Sequence, residues 1–149
     1  MLQAYVFGHS ICRRLRECIE SGCDPRMRPD FKLDSQMYVN IVGRGGLRLQ
    51  QLVGKDGAGS NYLRKIFRTA PDVVILQLGG NGFRFAEPMD AEEFALTMLA
   101  FAGLLHGIYK VKQVVVCGIL PRFSPTADYR GSRGLSATIQ QRYHAWARY

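Results

Sequence analysis

Short apolar runs alternate along the chain with segments whose apolar residues recur every three or four positions. Four of these runs predict β-strands, at Leu2–Phe7, Met37–Val42, Val73–Leu78 and Val114–Gly118. The third and fourth runs are continuously apolar and rich in valine, which is typical of strands that are buried on both faces of a parallel sheet. The pattern therefore predicts a parallel sheet that is covered by helices.

The segments between the runs have the periodicity of helices. They predict a first helix at Ile11–Glu20, a broken second helix at Leu47–Val53 and Asn61–Phe67, a long helix at Asp90–Tyr109 and a last helix at Leu135–Arg148. Strands and helices that alternate in this order indicate a three-layer, doubly wound (flavodoxin-like) α/β fold. We expect one domain over residues 1–149. The apolar positions expected to face the sheet from the long helix are Phe94, Met98, Phe101, Leu105 and Ile108.

Each predicted strand is followed by a turn that contains glycine or proline. In a doubly wound sheet, ligands bind at the carboxyl ends of the strands, and these turns all lie at that edge. We therefore expect the functional site there. The four turns are Gly8-His9-Ser10, Gly43-Arg44-Gly45-Gly46, Gly79-Gly80-Asn81-Gly82 and Pro121-Arg122-Phe123.

Ser10 stands between the first predicted strand and the first predicted helix. A serine at such a turn exposes its hydroxyl, and its backbone N–H points out of the helix N-terminus, which is the geometry that a nucleophile needs. Serine is also among the best N-capping residues, so a helix cap is the alternative interpretation of Ser10.

The chain is basic, with a net charge of +8, and most of its 20 basic residues are arginines. This charge is compatible with nucleic acid or another polyanion as a partner. The arginines are spread along the sequence, however, and no helix-turn-helix or RNP-type motif is present. A basic, solvated surface is therefore the alternative interpretation.

The cysteines and histidines do not have the spacing of a metal site. No Cys-x-x-Cys pair occurs, so we expect no metal and no cofactor. Cys12, Cys18, Cys23 and Cys117 are interpreted as reduced thiols in the core, which indicates an intracellular, cytoplasmic protein. No apolar stretch reaches the ~20 residues of a membrane-spanning helix, and the N-terminus lacks the basic region of a signal peptide. We expect no membrane association.

Three of the turns resemble sequence blocks of a known family. Gly8-His9-Ser10, the glycines after the second strand and Leu78-Gly79-Gly80-Asn81 resemble, in order and spacing, the first three blocks of the SGNH (GDSL-type) hydrolases. The resemblance implies a hydrolase of small acyl esters with Ser10 as nucleophile. It also implies an oxyanion hole made by the backbone N–H of Gly45 or Gly46 and the side-chain amide of Asn81. The alternative for Asn81 is a turn residue.

The sequence departs from the family pattern at three points. His9 and Gly82 stand where family members more commonly have aspartate, and the chain contains no Asp-x-x-His, the block that supplies the general base. His9 is adjacent to Ser10, so its side chain is expected to point elsewhere, and His106 and His144 are interpreted as structural. The sequence ends at Tyr149, before the place of that block, so we expect an incomplete domain without the fifth strand and with weak or no activity.

A non-catalytic binding module that keeps this fold is the alternative function. The basic charge would then serve a polyanion such as nucleic acid. Esterase-like domains of this type also resemble accessory domains in some animal retroelement proteins, which suits an arginine-rich chain. The two functions differ in whether a histidine reaches the Ser10 site.

Overall fold

The computed structural model of the protein describes residues 1–28, 31, 36–54, 58–79 and 91–118. The four strands lie where the apolar runs predict them, and the helices of these ranges follow the predicted order. The last predicted helix lies outside the described residues. The strands are β1 (Leu2–Gly8), β2 (Met37–Gly43), β3 (Val73–Gln77) and β4 (Gln113–Val116). The helices are α1 (Ser10–Ser21), α2 (Gln50–Val53), α3 (Ala58–Ile66) and α4 (Ala91–Gly107).

The four described strands form one parallel sheet in the order β2-β1-β3-β4. The register pairs Gly8 with Gly43 on one side and with Gln77 on the other, so the ends of β1, β2 and β3 are level. The predicted doubly wound α/β fold with helices on both faces is confirmed. A fifth strand would fall outside the described residues.

The larger core lies between the sheet and the layer of α2, α3 and α4. Phe7 is fully buried there, and its ring centre lies about 6 Å from those of Tyr62, Phe67 and Phe101. Burial of aromatic rings contributes much of the stability of such a core. This core fixes the centre of β1, and the turn that carries Ser10 follows β1 at its carboxyl end.

The inward face of α4 is largely as predicted, because Phe94, Met98, Phe101 and Leu105 are buried. Ile108 was expected on the same face, and this is wrong, since its side chain is 69% exposed. The physical reason is that Ile108 follows the last residue of α4, Gly107, where the chain turns toward β4 through Lys110 at a φ of +57°, and Tyr109 and Val111 are buried there instead.

The expectation that the third and fourth strands are buried on both faces is only partly correct. Val74 and Leu76 of β3 are fully buried, but Ile75 on the opposite face is only half-buried. In β4, Val115 and Val116 are exposed. Within the described sheet β4 is the edge strand, and α1 contacts β1 and β2 on the other side, so the far half of that face is less covered.

The cysteines do not all have the predicted state. Cys18 and Cys23 form a disulfide, whereas Cys12 and Cys117 are free. Gly22 adopts a left-handed conformation after α1 and reverses the chain, which brings the two Cα atoms of the disulfide to 5.2 Å. Burial raises the pKa of the Cys12 thiol to about 11, as expected of a core thiol. The expectation of reduced thiols is wrong for the disulfide pair, so the cysteines no longer support an intracellular, cytoplasmic location.

Candidate active site

Ser10 is the first residue of α1, and only His9 separates it from the end of β1 at Gly8. His9, with φ −93° and ψ −148°, occupies the N-cap position, and no side chain there makes a capping hydrogen bond. The first helical turn is closed by the Arg13 N–H, which donates to the His9 carbonyl at 3.2 Å. The interpretation of Ser10 as the N-cap is therefore wrong, because the helix begins one residue earlier than that role requires. The half-buried Ser10 hydroxyl is not used to cap the helix.

Two glycines allow α1 to pack closely on the strand ends. A Cβ atom at Gly8 would overlap the Gln77 carbonyl and lie 2.6 Å from Cys12 Sγ. A Cβ atom at Gly43 would overlap the Arg13 backbone N–H group and lie 2.6 Å from its Cα. Both distances are too short for any side chain, so packing alone explains glycine at these two positions. The close approach holds the N-terminus of α1, and with it Ser10, against the ends of β1 and β2.

The loop after β2 is tied by its backbone to the turn between β1 and α1, which carries Ser10. The Arg44 N–H donates to the Gly8 carbonyl at 3.1 Å, and the Leu47 N–H donates to the Arg44 carbonyl at 3.4 Å. This second bond closes a turn in which Gly46 has a φ of +71°, a conformation that favours glycine. Glycine at position 46 is thus required by the turn.

Gly45 is the member of this loop that lies next to α1. A Cβ atom on Gly45 would lie 3.5 Å from the Arg13 guanidinium, whereas one on Gly46 would have no neighbour within 4 Å. Both glycines are exposed. Of the two candidates, Gly45 therefore lies closer to the helix that Ser10 begins.

The third block is described only at its beginning. Leu78 is buried directly after β3, and Gly79 is buried with a φ of +112°. Asn81 and Gly82 lie outside the described residues. The structure thus places Gly45 next to Arg13 of the helix that Ser10 begins, while an oxyanion hole made by Gly45 or Gly46 and the Asn81 amide stays a prediction.

The histidines occupy different places in the fold. His9 is buried, with 2% of its surface exposed, at the N-cap of α1. His106 Nδ1 lies 2.9 Å from the Val111 carbonyl oxygen at the end of α4, which is the amino-terminal edge of the sheet. This contact joins α4 to the approach of β4, in agreement with a structural role for His106. His144 lies outside the described residues.

Two basic side chains around the loop after β2 were not foreseen as neighbours from the sequence. The Arg44 guanidinium carbon lies 5.3 Å from the centre of the Tyr62 ring, and Arg13 lies one helical turn after Ser10. Burial raises the pKa of the Tyr62 hydroxyl, against the opposing effect of the Arg44 and Arg16 charges. In the sequence, Arg44 directly follows Gly43. This position becomes informative only with the strand register, which pairs Gly43 with Gly8.

A second charged cluster lies at the opposite edge of the sheet. The Lys112 ammonium group, together with the Gln3 N–H at 2.8 Å, holds the pKa of the Asp72 carboxyl below its usual value. The Asp72 backbone also bonds to Gln3 and to Gln113, so this residue joins β1, β3 and β4 at their amino ends. These contacts indicate a structural role away from the site.

The described parts of the chain show neither a metal-binding cluster nor a membrane-spanning helix. Residues 1–28, 31, 36–54, 58–79 and 91–118 contain no group of three or more histidine, cysteine or carboxylate side chains that could hold a metal ion. None of the helices within these ranges combines the length and the hydrophobicity that are needed to cross a bilayer.

Comparison with known proteins identifies the fold. The sequence matches no protein-family model and no curated protein. The structure is similar to that of a lipase/acylhydrolase from Enterococcus faecalis, with 16% identity, a TM-score of 0.60, and coverage of 99% of this chain and 70% of that chain. It is also similar to a GDSL-like lipase from Bacteroides thetaiotaomicron, with 15% identity, a TM-score of 0.58, and coverage of 98% of this chain and 63% of that chain. The structure is similar as well to a protein assigned as an SGNH hydrolase from Slackia heliotrinireducens, with 16% identity, a TM-score of 0.61, and coverage of 99% of this chain and 72% of that chain.

These similarities define the class of the fold. The α/β architecture is that of lipases, esterases and acylhydrolases. More narrowly, the protein has the SGNH-hydrolase fold, and the resemblance inferred from the three sequence blocks is confirmed at the level of the fold. The chain spans 60% to 73% of the length of the first matching structures.

Proposed function

We propose that the protein is a serine-dependent hydrolase of small acyl esters, with Ser10 as its nucleophile. The observation that carries this proposal is the position of Ser10 at the start of α1, directly beyond β1, with its hydroxyl not used as a cap. The Gly45 loop is held beside it by the bond from the Arg44 N–H to the Gly8 carbonyl. This edge is where doubly wound sheets place their sites.

In the proposed reaction, the Ser10 hydroxyl oxygen attacks the ester carbonyl and loses its proton to a base. Negative charge then develops on the carbonyl oxygen, and donors that are already in place stabilise it. We assign these donors to the backbone N–H groups of Ser10 and Gly45 and to the Asn81 side-chain amide. The alcohol leaves, and water releases the acyl group from Ser10 Oγ.

Gly45 is preferred to Gly46 as the donor on two grounds. Gly45 lies against α1 near the Arg13 guanidinium, whereas the place of Gly46 is explained by the turn that it makes. Glycine at position 45 also leaves room for a substrate to approach the backbone closely.

The general base is the part of the mechanism that the sequence does not supply in the expected form. The printed sequence contains no Asp-x-x-His. Without a base, a serine hydroxyl stays protonated at neutral pH and is a poor nucleophile. We therefore expect Ser10 to react slowly unless a base reaches it.

Hydrolysis of 4-nitrophenyl acetate tests this proposal. We expect a rate close to the background in plain buffer and a faster rate when imidazole is added as an external base. The increase should vanish in Ser10→Ala, after subtraction of the hydrolysis that imidazole causes alone. Ser21→Ala is the matched control, because Ser21 lies exposed at the far end of α1, with its hydroxyl bonded to the Cys18 carbonyl.

Two results would oppose the proposal in different ways. An imidazole-dependent rate that is the same in Ser10→Ala would exclude Ser10 as nucleophile and favour a non-catalytic binding module. Rapid turnover without imidazole, abolished in Ser10→Ala, would show that this chain contains a base. His9 and His144 would then be the first residues to replace.

A further inference from the structure

Building on the proposed role of Ser10, we propose that the site takes esters that carry a carboxylate or phosphate group. Arg13 and Arg44 would bind that group beside the scissile bond. Guanidinium groups pair with the oxygens of both anions through two parallel hydrogen bonds, so both belong to one class of ligand. The substrate class is thus an anionic acyl ester.

Arg44 is fixed next to the turn between β1 and α1, which carries the proposed nucleophile. Its backbone N–H donates to the Gly8 carbonyl, and its guanidinium carbon lies over the Tyr62 ring, 5.3 Å from the ring centre. Tyr62 is itself partly buried against Phe7. Stacking on a ring face leaves the N–H groups at the edge of the guanidinium able to bind a ligand. In the part of the chain that the structure describes, no carboxylate lies within ion-pair distance of Arg44.

Arg13 approaches the same loop from α1. It follows Ser10 by one helical turn, and its guanidinium lies next to Gly45. Its ion pair with Glu17 has a distance of 3.6 Å, and the two side chains are 46% and 55% exposed. Such an exposed pair contributes little stability, so an incoming anion can replace Glu17 at small cost.

The surroundings add positive potential at this edge. Ser10 is at the N-terminus of α1, where the helix dipole favours an anion, and Arg16, whose Nε lies 3.8 Å from a Glu20 carboxylate oxygen, stands one turn beyond Arg13. The acidic side chains of α1, Glu17 and Glu20, lie in its second and third turns, farther from Ser10. A neutral ester would leave this potential unused, whereas an anionic ester forms charge-assisted hydrogen bonds with it.

Binding to the full-length Ser10→Ala variant tests the inference without turnover. Dissociation constants of two matched pairs of esters are measured by NMR titration: monomethyl glutarate against dimethyl glutarate, and 2-acetoxyethyl phosphate against 2-hydroxyethyl acetate. We expect the anionic member of at least one pair to bind about tenfold more tightly, as one charge-assisted bond allows. The two pairs distinguish a carboxylate from a phosphate.

Charge-neutralising variants locate the effect. Adding Arg44→Gln or Arg13→Gln to the Ser10→Ala variant should reduce the preference to about twofold, since each removes one charged donor. Arg68→Gln is the matched control, because Arg68 is exposed between α3 and β3 at the amino-terminal edge, and the preference should be unchanged.

The outcomes separate this inference from the proposed function. Equal affinity for anionic and neutral esters would overturn the inference, even if the wild type shows Ser10-dependent hydrolysis. Preferential anion binding without that hydrolysis would leave an arginine site and contradict the esterase. Tight binding of single-stranded oligo(dT), weakened as much by Arg68→Gln as by Arg44→Gln, would show diffuse attraction of a polyanion and overturn the local site.

Discussion

Alanine at position 43 is expected to lower the free energy of unfolding by about 3 kcal/mol, the upper part of the usual range for overpacking. The added methyl group would overlap the backbone of Arg13, and a backbone cannot move aside as the end of a flexible side chain can. Strand β2 and helix α1 would have to separate. Because Ser10 begins α1, the same change should displace the proposed nucleophile.

Gly103→Ala is the matched control for this substitution. Gly103 is exposed within α4, and an added Cβ would have no neighbour within 4 Å. Alanine is the better helix former, so this variant should be more stable by about 1 kcal/mol. The free energy of unfolding of both variants is measured by urea denaturation, monitored by circular dichroism. A Gly43→Ala variant as stable as the wild type would mean that α1 does not pack on the end of β2.

Asn81→Ala is expected to lower the imidazole-supported, Ser10-dependent rate by about 10²–10³-fold, as removal of one oxyanion donor does. The reason is that, in the proposed mechanism, the side-chain amide donates most strongly to the carbonyl oxygen when negative charge develops there. The measurement is the difference in rate between each variant and its Ser10→Ala counterpart at the same imidazole concentration. Asn61→Ala, at an exposed position on α3, should leave the rate unchanged.

A small change would support the alternative for Asn81. If Asn81→Ala loses less than about threefold in rate but unfolds more easily, the side chain acts as a turn residue, for which asparagine is well suited. The oxyanion hole would then consist of backbone N–H groups alone.

Local patterns predicted the elements and the position of Ser10. The continuous apolar runs can be placed only in strands, and Gly8 directly before a helical pattern marks the turn that Ser10 follows. The parallel alignment of the strands follows from the alternation of strands and helices along the chain. That Ser10 and Gly45 lie close together stays a prediction, which rests on both residues following strands that end at one edge of the sheet.

Features that depend on tertiary contacts could not be predicted. The approach of Arg13 to Gly45 and the stacking of Arg44 on Tyr62 join residues that are distant in sequence, so the arginines looked dispersed. The disulfide depends on the left-handed turn at Gly22, which spacing alone does not show. The exposure of β4 depends on its place at the edge of the described sheet.

Reaction with diisopropyl fluorophosphate tests the central claim, that Ser10 is the nucleophile, most directly. The serine oxygen forms a bond to phosphorus, fluoride leaves, and the proton passes to imidazole in the buffer. Intact-mass analysis and peptide mapping should find one diisopropylphosphoryl group on Ser10 in the wild type and in Ser21→Ala, and none in Ser10→Ala. An unmodified protein, or an adduct on another residue that persists in Ser10→Ala, would contradict the account.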